Sequence, residues 1–381
     1  MKTTVKTIAN QSSWILRGDR VEAAVTERGA NMAPVTFYRH QGDIQPYYIN
    51  PWHAEGRKLD EPCFVALRGD FFCLPFGSAQ TWRGAKFNTH GEPVARKWKL
   101  LDCSFRNSVS SLAIALKLGE PAGRVTRFVH VIDGQNVVYD TNVVDGVSGR
   151  YSCGHHATLA MPEQEKSVLI GHPPMKLMHT NPVDTGDPAQ GRYQAIATDQ
   201  RFRSLDKVPT IFKDPAWTDC SALPARRGFT DIVGMVNRAR PNPAWWTATY
   251  TAQNFMWFAM KDPAVLPMSM MWIANRGRHN VPWCGRNICL GMEDICGYFA
   301  CGQGPSAAGN FLSEQGIPTT MAFDKRQPTA VHYLQGVVKT PRGFGRCVDA
   351  EFAPGQVTFV SQTGQRASAE VNHQFVKTGQ L

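Results

Sequence analysis

The sequence predicts an all-β fold of antiparallel strands, and three observations lead to this expectation. Short alternating or β-branched runs separated by turn residues recur along the chain, which is the pattern of half-buried strands. Helical periodicity is scarce. Because the strand-like runs follow one another without helices between them, an antiparallel architecture is favoured over a parallel one.

The strands can be assigned in chain order. Residues 21–38 are typical of two strands that meet at Gly29, and residues 110–118 of one strand. The clearest prediction covers residues 126–146, where Asp133-Gly134 is a strong hairpin signal between two strand-like runs. Later segments with the same pattern are residues 167–171, 245–252, 255–260, 266–274, 287–294, 330–338 and 356–363.

The domain organisation is predicted to be simple. A length of 381 residues would suit two or three domains, although a large all-β fold can run as long as a single one. We find no fixed-period repeat and no low-complexity linker in the sequence. The segment of about residues 180–228 is polar and irregular, which fits either a domain boundary or long loops at a rim. We favour one domain over residues 1–381 with long rim loops.

Composition and charge limit the function classes. The first twenty residues lack the apolar core of a secretory signal, and no run approaches the ~18 apolar residues of a membrane span, so we expect a cytoplasmic protein without a membrane partner. The net charge is +10, yet the basic residues are scattered and accompany no nucleic-acid-binding motif. We therefore expect no nucleic-acid partner. The positive charge could instead attract an anionic substrate.

Ten cysteines are spread over the chain. Without an export signal, free buried thiols are favoured over disulfides. The densest group is Cys284, Cys289, Cys296 and Cys301, which are separated by four, six and four residues. That spacing matches neither zinc sites nor iron–sulfur sites, so no metal is predicted.

Two segments carry candidate groups that are ambiguous when taken alone. Residues 68–82 combine aromatic residues with a Pro-Phe-Gly turn, which suits either a pocket wall or an ordinary junction between a strand and a turn. His90 precedes a glycine in a polar loop. A histidine there is either a solvated loop residue or a chemical group at the mouth of a pocket.

The adjacent histidines His155 and His156 follow a Cys-Gly pair. If this segment is a strand, adjacent side chains point to opposite faces, so only one of the two faces a given cleft. No HExxH or similar spacing supplies further metal ligands. Either both histidines are structural, or one of them faces a cleft.

Residues 283–299 contain a carboxylate candidate. Read with period two, Ile288, Leu290 and Met292 share one face, whereas Glu293 shares the other with small residues that would let a ligand approach. A carboxylate among apolar neighbours has a raised pKa and can act as a general base. The alternative is a glutamate that only caps the end of a strand.

Taken in order along the chain, these segments resemble the aldose 1-epimerase (galactose mutarotase-like) superfamily over about residues 20–300. The chain is similar to a divergent branch, because Glu92 and Pro93 replace Phe-Ala of the family motif and Thr158 replaces an aromatic residue. The matching segments are the strand pair at 21–37, FFCLPFG at 71–77 (a Pro-aromatic-Gly segment of the hexose-phosphate mutarotase branch), THGEPVARKW at 89–98 (the His-Gly-Phe-Ala-Arg…Trp motif), the hairpin at 123–144, HATL at 156–159 and NICLGMED at 287–294.

The resemblance implies a large twisted β-sandwich of antiparallel strands, a supersandwich, with a sugar in a concave groove and no cofactor. It implies that His90 and His156 lie in the groove and that Glu293 is the general base. The family's arginine after the Pro-Phe-Gly segment is missing, so Arg68 or Arg83 is expected to replace it at the substrate. The remaining substrate-binding candidates are His155 and three tryptophans that would stack on a sugar face: Trp82, Trp98 and Trp283.

The function expected from the resemblance is that of an isomerase that interconverts the anomers of an aldose. Glu293 would take the proton of the anomeric hydroxyl, His156 would protonate the ring oxygen, and His90 would orient the sugar. The substrate is expected to be a sugar or sugar derivative, with the basic charge favouring an acidic or phosphorylated one. Two alternatives remain, a carbohydrate-binding domain without catalysis and a lyase acting on acidic glycans. A hydrolase would usually need a second carboxylate about 5–10 Å away, and none is evident.

Overall fold

Two large sheets form the body of the protein. The computed structural model describes residues 4–239 and 241–381. The strands within these ranges are, in chain order, β1 (Thr4–Ile8), β2 (Gln11–Arg17), β3 (Glu22–Thr26), β4 (Met32–Thr36), β5 (Asp70–Cys73), β6 (Gln80–Trp82), β7 (Ala85–Phe87), β8 (Lys99–Arg106), β9 (Val109–Leu118), β10 (Gly123–Ile132), β11 (Val137–Asp145), β12 (Gly149–Tyr151), β13 (Cys153–Ala160), β14 (Val168–Gly171), β15 (Met175–Thr180), β16 (Arg201–Phe202), β17 (Val208–Pro209), β18 (Trp217–Thr218), β19 (Ala222–Leu223), β20 (Phe229–Asn237), β21 (Ala244–Tyr250), β22 (Phe255–Lys261), β23 (Met268–Asn275), β24 (Ile288–Cys296), β25 (Met321–Phe323), β26 (Thr329–Lys339), β27 (Cys347–Ala353), β28 (Gln356–Ser361) and β29 (Arg366–Glu370).

The helical segments are short. Three 3-10 turns cover Pro51–Glu55, Pro62–Val65 and Pro188–Gln190, and three α-helical turns cover Gln303–Ala307, Phe311–Glu314 and Phe375–Thr378. None of the helices in the described ranges has the length and apolar character needed to cross a membrane.

The two sheets have different widths. One has 11 strands in the order β1-β2-β3-β4-β5-β13-β24-β23-β20-β15-β16, and the other has 9 strands in the order β19-β14-β21-β22-β26-β11-β10-β9-β8. Neighbouring strands in both sheets run antiparallel. The remaining strands form small sheets, of which β27-β28-β29 has three strands.

Apolar side chains from both sheets pack together in one core. Leu290 and Met292 of the 11-stranded sheet and Ile114, Val129 and Trp257 of the 9-stranded sheet all belong to this core. The two sheets therefore lie face to face as a sandwich, which stabilises both by removing apolar surface from water. The predicted antiparallel β-sandwich is confirmed.

Each sheet also has a covered outer face. On the 9-stranded sheet, Tyr139 and Phe258 pack with Phe359 of β28 and Phe375 of the last helical turn. On the 11-stranded sheet, the outer face packs against loops rather than against another sheet, and Trp283 is one of the loop residues in contact with it. This loop-covered face carries the site described below.

All the strands predicted from the sequence are present, including the β10–β11 hairpin at Asp133-Gly134. The sequence-based prediction missed several strands, which include β1, β2, β8, β15, β20, β27 and β29. Strand β20 is an interior strand, third from the β16 edge of the 11-stranded sheet, and is buried along nearly its whole length, so it lacks the alternation of buried and exposed residues that identifies a half-buried strand. The segment 180–228 contains four strands of two residues each among irregular loops.

Candidate active site

A row of side chains crosses the centre of the 11-stranded sheet. Phe71 of β5 lies opposite His156 of β13. His156 in turn lies opposite Glu293 of β24, and Glu293 lies opposite Met270 of β23. Directly opposed residues on neighbouring strands point to the same face of a sheet. Phe71 and Met270 belong to the apolar cluster of the outer face, so the row faces away from the sandwich core.

A cavity of about 300 Å³ opens above this row. The residues of its wall that matter for chemistry are His90, His156, Trp272, Arg278, Trp283 and Glu293. Loops supply much of the wall, and the irregular segment 180–228 contributes Thr185 and Arg192. The sheet therefore fixes the floor of the cavity, while loops from distant parts of the chain form its sides.

Glu293 and His156 are in contact at the floor of the cavity. Nε2 of His156 lies 3.1 Å from Oε1 of Glu293. Both side chains are buried, with 5% of His156 and 2% of Glu293 exposed. Oε2 of Glu293 is buried as well and has no hydrogen-bond partner among the described residues. An unpartnered buried carboxylate oxygen costs free energy, so this atom is a candidate acceptor for a ligand.

Gly291 makes room for this pair. A Cβ atom at position 291 would lie 2.6 Å from Oε1 of Glu293, 3.0 Å from Cβ of Trp272 and 3.4 Å from Cε1 of His156. The first distance is shorter than carbon and oxygen atoms tolerate without bonding. The glycine in the sequence Leu-Gly-Met-Glu is therefore required by the position of the carboxylate two residues later.

Burial sets the protonation of the pair. Desolvation raises the pKa of Glu293 well above its usual range, although Arg278 acts in the opposite direction. Desolvation also lowers the pKa of His156 to about 4. Burial therefore favours the uncharged form of each group over its charged form.

His90 lies beside His156 and is held by the backbone. The two rings meet edge to face with centroids 5.0 Å apart. The N–H of Gly77 donates to Nδ1 of His90 at 3.4 Å, and the N–H of His90 donates to the carbonyl of Gly77 at 2.8 Å. Because Nδ1 accepts a hydrogen bond, the neutral ring carries its proton on Nε2. Burial lowers the pKa of His90 well below its usual range, and His156 and Arg278 act in the same direction.

The His90-Gly91 pair has a geometric reason. His90 has a φ of 57° and Gly91 a φ of 79°, both in the left-handed region. A Cβ atom at position 91 would lie 2.0 Å from the carbonyl oxygen of Leu74, so only glycine fits there. This close approach joins the His90 loop to the Pro75-containing turn after β5 and fixes the imidazole at the wall of the cavity.

Arg278 lies against two tryptophans. Its Cζ atom is 5.4 Å from the ring centroid of Trp272 and 4.8 Å from that of Trp283. Burial, followed by the charge of Arg192, lowers the pKa of Arg278 to about 10. The side chain therefore remains charged at neutral pH, and its hydrophobic contacts hold it at the cavity.

The structure brings together only some of the residues predicted from the sequence. His90, His156, Trp283 and Glu293 line the cavity. His155 points to the opposite face of β13, where its Nδ1 lies 3.2 Å from both carboxylate oxygens of Asp70. The alternation predicted for the two histidines is therefore observed, and His155 is not in the cavity.

The other predicted substrate-binding residues lie elsewhere, and this corrects their expected role. Arg68 is fully buried, and its guanidinium donates to the carbonyls of Ile8 and Ala9 at 2.8 and 2.9 Å. Trp98 is buried in the sandwich core and donates to the carbonyl of Pro93. These contacts use the polar groups of both side chains for structure. The last two, Trp82 and Arg83, stack on each other in the β6–β7 hairpin outside the cavity.

The sequence prediction missed Trp272, Arg278 and Arg192, which line the cavity, while Phe71 lies in the segment 68–82 that was considered as a pocket wall. The ring of Phe71 stacks on His156 at 4.6 Å, and Trp272 shares its strand face with Met270. Period-two alternation in β23 would have placed Trp272 on this face. For Arg278 no local signal exists, because it lies in the irregular loop between β23 and β24.

A second group of ionisable residues lies inside the sandwich. Single ligand atoms of Asp70, Asp140 and His155 lie within 4.8 Å of one another, a composition that could hold a cation. The guanidinium of Arg127 occupies this position, because it donates to Asp70 and to Asp140 at 2.8 Å. The group is therefore an internal ion cluster. The ten cysteines are all free thiols.

The sequence matches no protein-family model and no curated protein. Solved structures do match over most of the chain. A galactose mutarotase-like protein from Clostridium acetobutylicum has a TM-score of 0.59 at 8% identity, covering 89% of this chain and 99% of the other. A galactose mutarotase related enzyme from Lactobacillus acidophilus has a TM-score of 0.53 at 9% identity, covering 86% of this chain and 98% of the other.

A protein from Synechocystis sp. PCC 6803 has a TM-score of 0.57 at 10% identity, covering 90% of this chain and 100% of the other. At these identities the likeness concerns the fold. The chain has the galactose mutarotase-like fold, as the resemblance of its motifs predicted.

Proposed function

We propose that this protein interconverts the anomers of an aldose or aldose derivative by general acid–base catalysis. The observation that carries the proposal is the contact between His156 and Glu293 at the floor of the cavity, 3.1 Å between Nε2 and Oε1. Mutarotation needs one group that accepts a proton and one that donates a proton, held close together in a site that admits a sugar. The fold supports the proposal at the level of a general likeness to mutarotase structures.

Glu293 and His156 can hold one proton between them in the arrangement that this reaction needs. The active form has the shared proton on His156, so that Glu293 is a carboxylate and His156 an imidazolium. Burial opposes this form by raising the pKa of Glu293 and lowering that of His156, and the charge of Arg278 acts against the first of these effects. Glu293 accepts the proton of the anomeric hydroxyl as the bond between the anomeric carbon and the ring oxygen breaks, and His156 protonates the ring oxygen. The open-chain aldehyde then rotates about its C1–C2 bond. The same proton transfers in reverse close the ring by attack on the other face of the aldehyde.

The remaining cavity residues bind the sugar in this proposal. His90 donates a hydrogen bond from Nε2 to a sugar oxygen near the ring oxygen, because its Nδ1 is engaged by Gly77. Trp272 and Trp283 offer apolar faces for the carbon side of the ring, and the indole N–H of Trp272 is buried with no partner among the described residues. The ring C–O bond breaks and re-forms within the sugar, and the protein supplies proton transfers alone, so the proposal includes no cofactor.

Anomer-exchange NMR on a panel of free, acidic and phosphorylated aldoses tests the proposal. We expect the protein to accelerate exchange of at least one sugar and Glu293→Gln to lose about 10²–10⁴-fold of that acceleration, the typical contribution of one acid–base group. Line broadening of the sugar signals would show that the variant still binds.

The matched control is Glu314→Gln, on a helical turn outside the cavity, which should exchange anomers at the wild-type rate. Saturable binding without accelerated exchange across the whole panel would contradict the proposal and favour a carbohydrate-binding domain. Normal exchange in Glu293→Gln would contradict the role of this residue.

A further inference from the structure

Two arginines that are neighbours in space line the cavity. The backbones of Arg192 and Arg278 form an antiparallel bridge, and both side chains line the wall. Arg192 pairs with Asp187 at 3.1 Å, and its Nε is buried without a hydrogen-bond partner among the described residues. Arg278 contacts Trp272 and Trp283 and forms no salt bridge within the described part of the chain. Of these two arginines, Arg192 is paired with a carboxylate and Arg278 is not, within the described part of the chain.

The rest of the cavity does not neutralise this charge. Among the described residues of the wall, Glu293 is the one that carries a carboxyl group, and burial favours its uncharged form. Burial likewise favours the uncharged forms of His90 and His156. Among the described residues the wall thus holds two guanidinium groups against one carboxyl group. A buried cation without a counterion is costly, which makes a bound anion favourable.

The orientation of Arg278 suits recognition of an anion. Its Cζ atom lies close to two indole rings whose planes are 74° apart, and these contacts restrict its rotamer. The N–H donors of a guanidinium lie along its edge. An oxyanion can accept two parallel hydrogen bonds from such an edge, with less loss of side-chain entropy than from a free arginine. Arg192 adds a further N–H donor beside it.

We propose that Arg278 and Arg192 form a subsite for the oxyanion group of an acidic sugar, so that the ligand of this cavity is a sugar carboxylate, sulfonate or phosphate. The proposal rests on the proposed function in so far as the ligand is a sugar. The subsite holds the charged group at the wall and thereby fixes which ring carbon faces Glu293 and His156 at the floor. It makes Arg278 and Arg192 residues that determine specificity rather than groups that transfer protons.

Neutral and acidic sugars with the same ring are compared, because a change in Glu293 caused by the loss of Arg278 would affect the binding of both, whereas loss of the subsite would affect the acidic sugar alone. Galactose is compared with galacturonate, and glucose with glucuronate, glucose 6-phosphate and 6-sulfonated glucose, by titration calorimetry. In Arg278→Met we expect the Kd of the preferred acidic sugar to rise about 10- to 100-fold, the loss typical of a hydrogen bond to a charged group, with neutral sugars unchanged within about two-fold. Arg192→Met should show a smaller rise of the same kind, which provides a second test if Arg278→Met folds poorly. Comparison of the acidic sugars identifies the oxyanion.

The matched control is Arg226→Met. Arg226 also lies over two aromatic rings, with its Cζ 4.5 Å from Phe212 and 5.9 Å from Phe229, but it does not line the cavity. Its replacement should leave all Kd values unchanged. Equal affinity of the wild type for acidic and neutral sugars, equal weakening of both by Arg278→Met, or no binding of any acidic sugar would each overturn the proposal.

Anomer exchange in the same samples distinguishes the two proposals. Binding of an acidic sugar that depends on Arg278 but brings no acceleration of exchange would leave the subsite in place and contradict the proposed function. Accelerated exchange of neutral sugars without any preference for acidic ones would support the proposed function and contradict the subsite for an acidic sugar.

Discussion

The two faces of the central strands differ in how their polar groups are satisfied. Sequence neighbours point to opposite faces, so Glu293 lies in the cavity while Asp294 lies inside the sandwich. The carboxylate of Asp294 accepts hydrogen bonds from Trp246 at 3.0 Å, Tyr333 at 2.8 Å and Ser269 at 2.7 Å. It also pairs with Lys261. Glu293, by contrast, has a buried oxygen without a partner among the described residues.

The same contrast holds one strand further along the sheet. His155 faces the interior, where it contacts Asp70 and stacks on Tyr333 with ring centroids 4.3 Å apart. His156 faces the cavity, where Nε2 contacts Glu293 and Nδ1 contacts the hydroxyl of Thr158 at 3.3 Å. Inside the sandwich, charges are matched by countercharges and hydrogen bonds, as burial without water requires. On the outer face, polar groups are positioned but left free to bind a ligand.

The difference teaches how the two sets of residues divide their roles. The inner groups stabilise the sheet and hold the strands in register, and the outer groups are available for chemistry. Replacing inner residues should therefore change the free energy of unfolding, and replacing outer residues should change turnover.

The largest expected effect is on the inner face. Lys261→Met leaves the carboxylate of Asp294 buried without its counterion, so the free energy of unfolding should fall by about 3–5 kcal/mol. Urea denaturation followed by tryptophan fluorescence measures this change.

Lys339→Met is the control, because Lys339 is exposed and its ammonium group lies over the ring of Tyr38 at the surface. It should change the free energy of unfolding by about 1 kcal/mol or less. A stable Lys261→Met variant would show that the inner cluster is not a stabilising element.

The next effect concerns the room that Glu293 needs. In Gly291→Ala the new methyl group would lie 2.6 Å from Oε1 of Glu293, so the carboxylate must move. A displacement of the order of 1 Å should lower the anomer-exchange rate about 10²-fold. Gly309→Ala, whose added Cβ would have no atom within 4 Å, should retain the wild-type rate in the same NMR assay. Full activity of Gly291→Ala would mean that the position of Glu293 is not critical.

Much of this arrangement could be predicted from the sequence. Period-two alternation placed Glu293 opposite Leu290 and Met292, and the structure has Leu290 and Met292 in the sandwich core with Glu293 on the cavity side. The same rule separated His155 from His156. Both predictions depend only on the local geometry of a strand, which the residue pattern determines.

The loop residues were harder to predict. Arg68 was expected at the substrate but reaches the carbonyls of Ile8 and Ala9, about sixty positions away in the sequence, and Arg278 enters the cavity from a loop without regular structure. The direction of such side chains depends on long-range packing, and no short-range pattern encodes it.

The effect of Glu293 on stability tests the division between the two faces most directly. Burial raises the pKa of Glu293 in the folded protein, so the folded state binds more protons than the unfolded state, and stability falls as the pH rises above about 4.3 towards that raised pKa. Glu293→Gln cannot ionise and should lack this loss.

The measurement is the free energy of unfolding of wild type and Glu293→Gln in urea at a series of pH values. At the acidic end we predict that the free energies of unfolding of the two proteins differ by about 1 kcal/mol or less. As the pH rises, the variant should become more stable relative to the wild type. A loss of about 3 kcal/mol or more in Glu293→Gln at all pH values, as expected for a member of the inner cluster, would contradict the account.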